Sequence, residues 1–291
     1  MTFGELYRDG SKPVISFEIF PPKTPEGKSK LMRTLEELAE MRPAFISVTY
    51  GAMGTTREGS FEIASRIKSM GVETASHLTC VGSSGAEIDG ILTDLGERGI
   101  ENIVALRGDP PAGKQFVAAE GGYGHANELV EHIRRFEKQN GGRFGVAVAG
   151  YPEKHVEAES MEKDMENLAQ KVRAGADAVI TQLFYDNSRY FDFLDMARGA
   201  GVQTPIVPGL MPILSSRQVV KITSMCGSSV PPDIMKRLER CESKGGDPAG
   251  VGVDVCARQA EELLKAGAPG IHFYVLNRAS HVKSVLKRLG L

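Results

Sequence analysis

The chain contains no tryptophan, and its four cysteines, Cys80, Cys226, Cys241 and Cys256, form no CxxC pair and have no histidine at metal-ligand spacing. A zinc module or a disulfide framework is therefore not what organises it, and reduced thiols in a reducing compartment are expected. There is no GxGxxG after the first strand and no GK[ST] loop, so the two commonest sequence signals of a nucleotide-binding crossover are missing. No apolar run approaches the roughly 20 residues that cross a bilayer. The opening MTFGELYRDG carries acids where a secretory signal has its apolar stretch. Lys plus Arg number 35 against 37 for Asp plus Glu, a net charge of -2. Such a balance gives no basic field to draw nucleic acid or an anionic membrane. The expectation is a cytoplasmic protein that engages neither, with any anionic ligand met by local charges.

What is present is alternation. With 291 residues, 41% of them hydrophobic, the chain can bury one substantial core, and a single domain over 1–291 is expected. Strand-like runs fall at 14–20, 45–50, 73–80, 103–106, 143–150, 178–185, 204–213 and 270–276. Amphipathic or helix-forming stretches follow each, as at 26–41, where Leu31, Leu35, Leu38 and Met41 recur at helical spacing. The seventh crossover is elaborated, with helical segments from Ser216, over 231–239 and over 253–266 around the charged insertion ESKGGDPAG. Eight such units imply a parallel sheet, right-handed crossovers and closure into an α/β (β/α)8 TIM barrel. A doubly wound open sheet is the alternative, and it lacks its fingerprint.

In a barrel, chemistry gathers at the C-terminal ends of the strands, and that is where this sequence keeps its polar residues. The stretch NIVALRGDPPAG carries an apolar strand into Arg107 and Asp109, with Pro110 and Pro111 stopping further pairing. Glu18 sits in VISFEIF. It is either solvent-facing or paired with a barrel lysine or arginine, or it is an inward acid whose pKa is raised by desolvation and suits proton donation. Thr49, His77, Tyr151, Gln182 and Tyr274 end other strands, and together these residues would ring one mouth. Gln182 is an amide among apolar residues that needs partners or a heterocyclic ligand. Asp164, Asn167 and Lys171 share one helix face, a pattern equally expected of a solvated stripe. The glycine-rich AAEGGYGH is read as a surface loop.

Eight blocks in order, FEIFPPKT, SVTYGA, HLTC, ALRGDPP, AGYPEKH, ITQLFYD, PIVPG and HFYVLNR, cover almost the whole chain. In them the sequence resembles the 5,10-methylenetetrahydrofolate reductase family. The resemblance implies an oxidoreductase with FAD on the barrel's C-terminal face. It would use NADH or NADPH to reduce methylenetetrahydrofolate to 5-methyltetrahydrofolate by a ping-pong course that feeds one-carbon metabolism and methionine synthesis. Carried over by motif, Thr49, His77, Arg107, Gly108, Asp109, Ala149, Tyr151, His155, Asp164, Asn167 and Lys171 would contact FAD. Arg107 and Lys171 would neutralise phosphates, and Asp109 would tune the flavin and help orient the folate. Glu18 would be the catalytic acid, and with Gln182, Tyr274 and Arg278 it would line the substrate side.

The resemblance also has departures. Ser216 stands where bacterial relatives place a stacking phenylalanine, His125 where relatives carry an aromatic near the flavin, and Gln170 where some have a base. It implies a homo-oligomer. It also implies no response to S-adenosylmethionine, because 291 residues leave no room for the C-terminal sensing domain of larger eukaryotic relatives. A flavin-independent reductase, a pterin-binding barrel methyltransferase and a non-catalytic folate-binding subunit are the alternatives, separable by cofactor content and turnover.

Overall fold

The computed structural model describes residues 1–22, 24–50, 57–109 and 116–291. The stop to sheet pairing expected at Pro110 and Pro111 lies outside the described residues. Nine strands form one parallel sheet: β1 Val14–Ile19, β2 Phe45–Val48, β3 Glu73–Thr79, β4 Asn102–Leu106, β5 Gly145–Gly150, β6 Ala178–Thr181, β7 Ile206–Val207, β8 Gly209–Leu210 and β9 Gly270–Tyr274. Their lateral order is β7-β6-β5-β4-β3-β2-β1-β9-β8.

Nine strands fill eight barrel positions because the seventh is split. β7 pairs with β6 and β8 with β9, and Pro208 stands between them. Proline has no N–H for a ladder, but its carbonyl accepts from the His272 amide at 3.0 Å. At Gly209 a Cβ would lie 2.2 Å from the Thr181 carbonyl and 2.7 Å from the Tyr274 ring, so the PG pair in PIVPG is what lets the ring close.

Side chains alternate across each strand. The outward set, including Phe17, Ile19, Ile46, Val48, Ile103 and Val148, packs under the surrounding helices into one large apolar layer. The inward set starts with a second, smaller cluster of Val14, Phe45, Ala75, Val104, Ala147, Ala178 and Ile180. Phe3 plugs it from below, on the short helix α1 (Phe3–Leu6), meeting Phe45 edge to face at 5.0 Å. The floor of the barrel is thus largely apolar, with the buried Asn102 at the start of β4 accepting from the Phe3 amide at 2.8 Å.

The crossover helices are α2 Pro25–Glu40, α3 Arg57–Ser69, α4 Gly85–Glu97, α5 Ala126–Asn140, α6 Met161–Arg173 and α7 Asn187–Gly199; α11 Ala279–Leu289 closes the chain. They begin where short polar residues cap orphan amides: Thr24 accepts from Gly27 N, Ser160 from Lys163 N, and Ser84 forms a reciprocal box with Glu87. Between β8 and β9 lie three helices, α8 Ser216–Cys226, α9 Pro232–Ser243 and α10 Pro248–Lys265. The last starts inside the sequence's glycine-bearing insertion, five residues earlier than periodicity suggests, because Asp247 caps two amides ahead of Pro248. Among the described residues no helix is long and apolar enough to cross a membrane.

Candidate active site

One cavity of about 650 Å³ opens at the C-terminal ends of the strands, a volume in the range that takes a cofactor-sized ligand. Glu18, His77, Arg107, Gly108, Asp109, Ala149, Tyr151, His155, Asp164, Asn167, Lys171, Gln182 and Tyr274 all line it. Thr49 and Arg278 do not. Thr49 follows β2, its Oγ1 buried without a hydrogen-bond partner among the described residues. Arg278 is exposed as the residue before α11, beyond the cavity wall rather than on it.

At the barrel axis, Glu18 is 19% exposed and its Oε2 is surrounded: His77 Nε2 at 3.1 Å, His272 Nε2 at 3.5 Å and the Ser47 hydroxyl at 3.4 Å. The His77 contact is close but does not align as a hydrogen bond. His272 is fully buried and its Nδ1 lies 2.8 Å from Ser16 Oγ. This corrects two expectations. The partners of Glu18 are histidines, not a lysine or arginine. Its pKa is not raised: burial pushes it up, but the neighbouring His77 and His272 outweigh burial and hold the carboxyl at about 2.

The opposite end of the cavity is cationic. Lys171 Nζ donates to the Ala149 carbonyl at 2.6 Å and lies 5.7 Å from the Tyr151 ring centroid. Burial lowers its ammonium to about 8, against the raising effect of Asp164. Asp164 itself is buried and accepts from the His155 amide at 2.9 Å; with it Asn167 and Lys171 line the cavity, Asn167 at its exposed edge. Burial lowers the His155 pKa, and its ring meets Tyr151 edge on at 4.6 Å. Arg107 holds Glu157 through two guanidinium nitrogens, the longer contact being 3.0 Å. Beside it Gly108 has φ +85°, and a Cβ there would lie 2.4 Å from Val81 Cγ1, so only glycine fits this turn. Asp109 is exposed at the rim.

Between these ends, the Gln182 side-chain oxygen accepts from the Leu183 amide at 2.9 Å, which leaves its NH2 for the cavity. Tyr274 donates to the Thr181 carbonyl at 2.7 Å, and burial raises its phenol well above the ordinary value. Its ring is therefore a fixed wall rather than an acid.

The sequence reading missed several lining residues. Phe20, Leu183, Met211, Ile222 and Leu276 supply apolar wall, and Glu157 supplies the carboxylate on Arg107. His272 escaped notice although alternation gives it away: it is in register with Ser16, and Tyr274 with Glu18. The AAEGGYGH segment is not a free surface loop. Gly122 bridges to Ser84, and His125 enters the cavity wall at the start of α5. Ser216 binds Glu242 through its amide and hydroxyl, at 2.9 and 2.6 Å, and is outside the cavity lining; Ile222, two turns on, faces in. Gln170 lines the cavity beside Lys171. No group of three His, Cys, Asp or Glu among the described residues is placed to hold a metal.

Comparison with known proteins agrees with this architecture. A family model described as methylenetetrahydrofolate reductase matches residues 5–290. A probable methylenetetrahydrofolate reductase (NADH) of Oryza sativa subsp. japonica is 39% identical over 99% of the chain and 50% of its own length. The 5,10-methylenetetrahydrofolate reductase of Escherichia coli K12 is 34% identical over 95% of the chain and 90% of its own length. The chain spans about half the length of the plant relatives it matches. Among solved structures, a Clostridium thermocellum protein that binds two copies of 5-methyl-5,6,7,8-tetrahydrofolic acid superposes with a TM-score of 0.68 at 15% identity, covering 98% of this chain and 97% of that one, which shows the shared fold.

Proposed function

The chain belongs to the methylenetetrahydrofolate reductase family, and on that premise we propose that it reduces 5,10-methylenetetrahydrofolate to 5-methyltetrahydrofolate, with FAD as its cofactor and a nicotinamide nucleotide as donor. The observation that carries this reading is one cavity joining an acid on the barrel axis, Glu18, to a half-buried cation, Lys171, at its far wall. The plant relatives' names specify NADH, which makes NADH the donor to test first.

The residues present fit a flavin nucleotide. Lys171 is a desolvated ammonium whose hydrogen bond goes to a carbonyl rather than a carboxylate, and Thr49 Oγ1 at the end of β2 is buried without a hydrogen-bond partner among the described residues. Lys171 and Arg107 would hold phosphate oxygens, Arg107 by exchanging Glu157 for them. Gly108 would let backbone approach the ligand, and His77, Ala149, Tyr151, His155, Asp164 and Asn167 would shape the rest of the cleft, with Asp109 at the rim available to tune the flavin electrostatically. FAD bound there would supply a two-electron carrier between the nicotinamide donor and the folate.

On the folate side, the free NH2 of Gln182 would read the heterocycle's acceptor edge and the fixed Tyr274 ring would set its depth. Arg278, outside the cleft, would meet the anionic end. Glu18 would protonate folate N10 as the five-membered ring opens, generating an electrophilic iminium at N5. Ionised in the ligand-free site, Glu18 must first gain a proton, and a folate packed over it would remove its remaining water and favour the neutral acid.

The test is an anaerobic visible spectrum of the purified protein, before and after NADH or NADPH and then after methylenetetrahydrofolate. Flavin bands that bleach with the donor and return with the folate are expected; a protein that binds no flavin even after incubation with FAD would overturn the cofactor assignment. Glu18→Gln is expected to keep donor-driven bleaching and to lose folate-driven recovery by about 10²- to 10⁴-fold. Normal recovery would refute the acid's role.

A further inference from the structure

Beneath Glu18 the barrel holds an imidazole that no part of the proposed chemistry uses. His272 is completely buried, above an inward cluster that includes Val14, Phe45 and Ala75. Its Nε2 faces Glu18 Oε2 at 3.5 Å, its Nδ1 faces Ser16 Oγ at 2.8 Å, and its ring is stacked at 5.8 Å on Phe45 and met edge on at 5.4 Å by Tyr274. Both nitrogens thus have a partner, and the ring cannot turn. A buried imidazole needs a partner at each nitrogen, and here one of the two is the carboxylate of Glu18.

Resting on the reading of Glu18 as the acid, we propose that Ser16, His272 and Glu18 form a proton relay in which His272 is a positioning residue that stores the proton Glu18 delivers. In the stored state Nδ1–H donates to Ser16 Oγ and Nε2–H to Glu18 Oε2. The Nε2 proton passes to Oε2, Glu18 gives a proton to the substrate nitrogen, and His272 is left neutral with Nδ1–H still on Ser16. One solvent proton, entering through the cavity by way of Glu18, restores the start. The groups facing this unit are His77 from β3, Ser47 and Phe45 from β2, and Tyr274 from β9. His77 is the other titratable base, on the cavity side of the carboxylate and itself a lining residue. The fully buried His272 is the one shielded from exchange with a bound ligand.

The test is carbon NMR of the full chain labelled at glutamate Cδ, with the Glu18 signal assigned by its loss in Glu18→Gln. His272→Gln is expected to raise the Glu18 midpoint by about 1 to 3 pH units and to shift the pH profile of folate reduction with it. An unmoved midpoint in a folded His272→Gln, with folate reduction lost in Glu18→Gln, overturns the role of His272 alone. Normal folate reduction in Glu18→Gln overturns the acid reading and the relay together. Should His272→Gln not fold, nitrogen NMR of the unmutated chain decides: two protonated ring nitrogens on His272 while Glu18 is ionised are expected, and a ring with a single proton throughout overturns the relay.

Discussion

Replacing Lys171 by methionine should make the cofactor-free protein more stable and the cofactor site useless. Lysine has an ordinary pKa of 10.5, and burial brings the Lys171 ammonium to about 8. At about 1.4 kcal/mol per pH unit, keeping the charge in the folded chain costs roughly 3 kcal/mol at neutral pH. Methionine has a similar unbranched stem and removes that cost, while forfeiting the hydrogen bond to the Ala149 carbonyl, worth about 1 kcal/mol. The net expectation is a gain of roughly 2 kcal/mol at pH 7. The sign reverses with pH. Between about 8 and 10.5 the unfolded chain holds this proton and the folded chain does not, so the unmutated protein gains stability as pH rises while Lys171→Met does not. Urea unfolding at pH 7 and pH 10, with FAD titration alongside, measures both. A variant that is destabilised at pH 7, or whose difference from the parent is the same at both pH values, would refute the idea that Lys171 is held for a ligand at the fold's expense.

Glu157→Gln should free the Arg107 fork and tighten FAD binding by roughly two- to fivefold at low salt, as expected for a half-exposed pair; calorimetric titration showing weaker binding would count against the exchange. Gly108→Ala should destabilise by roughly 2–5 kcal/mol, from left-handed strain plus overpacking against Val81 and Thr79, and a parental urea midpoint would contradict this. Because the Glu18 pKa is depressed from 4.5 to about 2, its stabilisation is present above pH 4.5 and lost as pH falls towards 2. Acid unfolding of Glu18→Gln should therefore be shallower over that interval, and parallel curves for the two proteins would disprove it.

Much of the barrel was legible in the sequence because its periods are local. Alternation within six or seven residues and amphipathic spacing within sixteen are properties of single elements, and eight repetitions left few topologies. The split of the seventh strand was legible only in part. Proline at 208 is visible, but its use as the seam depends on β6 and β9 reaching it from either side. Strand tips were read two to four residues too long at β2 and β6, because apolar residues such as Leu183 and Tyr185 continue the pattern after leaving the sheet.

The site divides the same way. Which residues stand at the strand ends follows from the sequence, since a residue's place along its own strand fixes whether it reaches the mouth. What those residues meet does not follow, because their partners are far off in the chain. Glu18 and His272 are 254 positions apart, and Arg107 and Glu157 are 50 apart. A carboxylate among apolar neighbours predicts a raised pKa when only its own strand is considered. Closure of the barrel brings two imidazoles to it and reverses the sign. Desolvation is set by local burial, whereas charge coupling falls off with distance through space. The sequence by itself therefore determined the barrel and most of the polar residues at its mouth, and only the tertiary structure decided which of them reach the cavity and the electrostatics inside it.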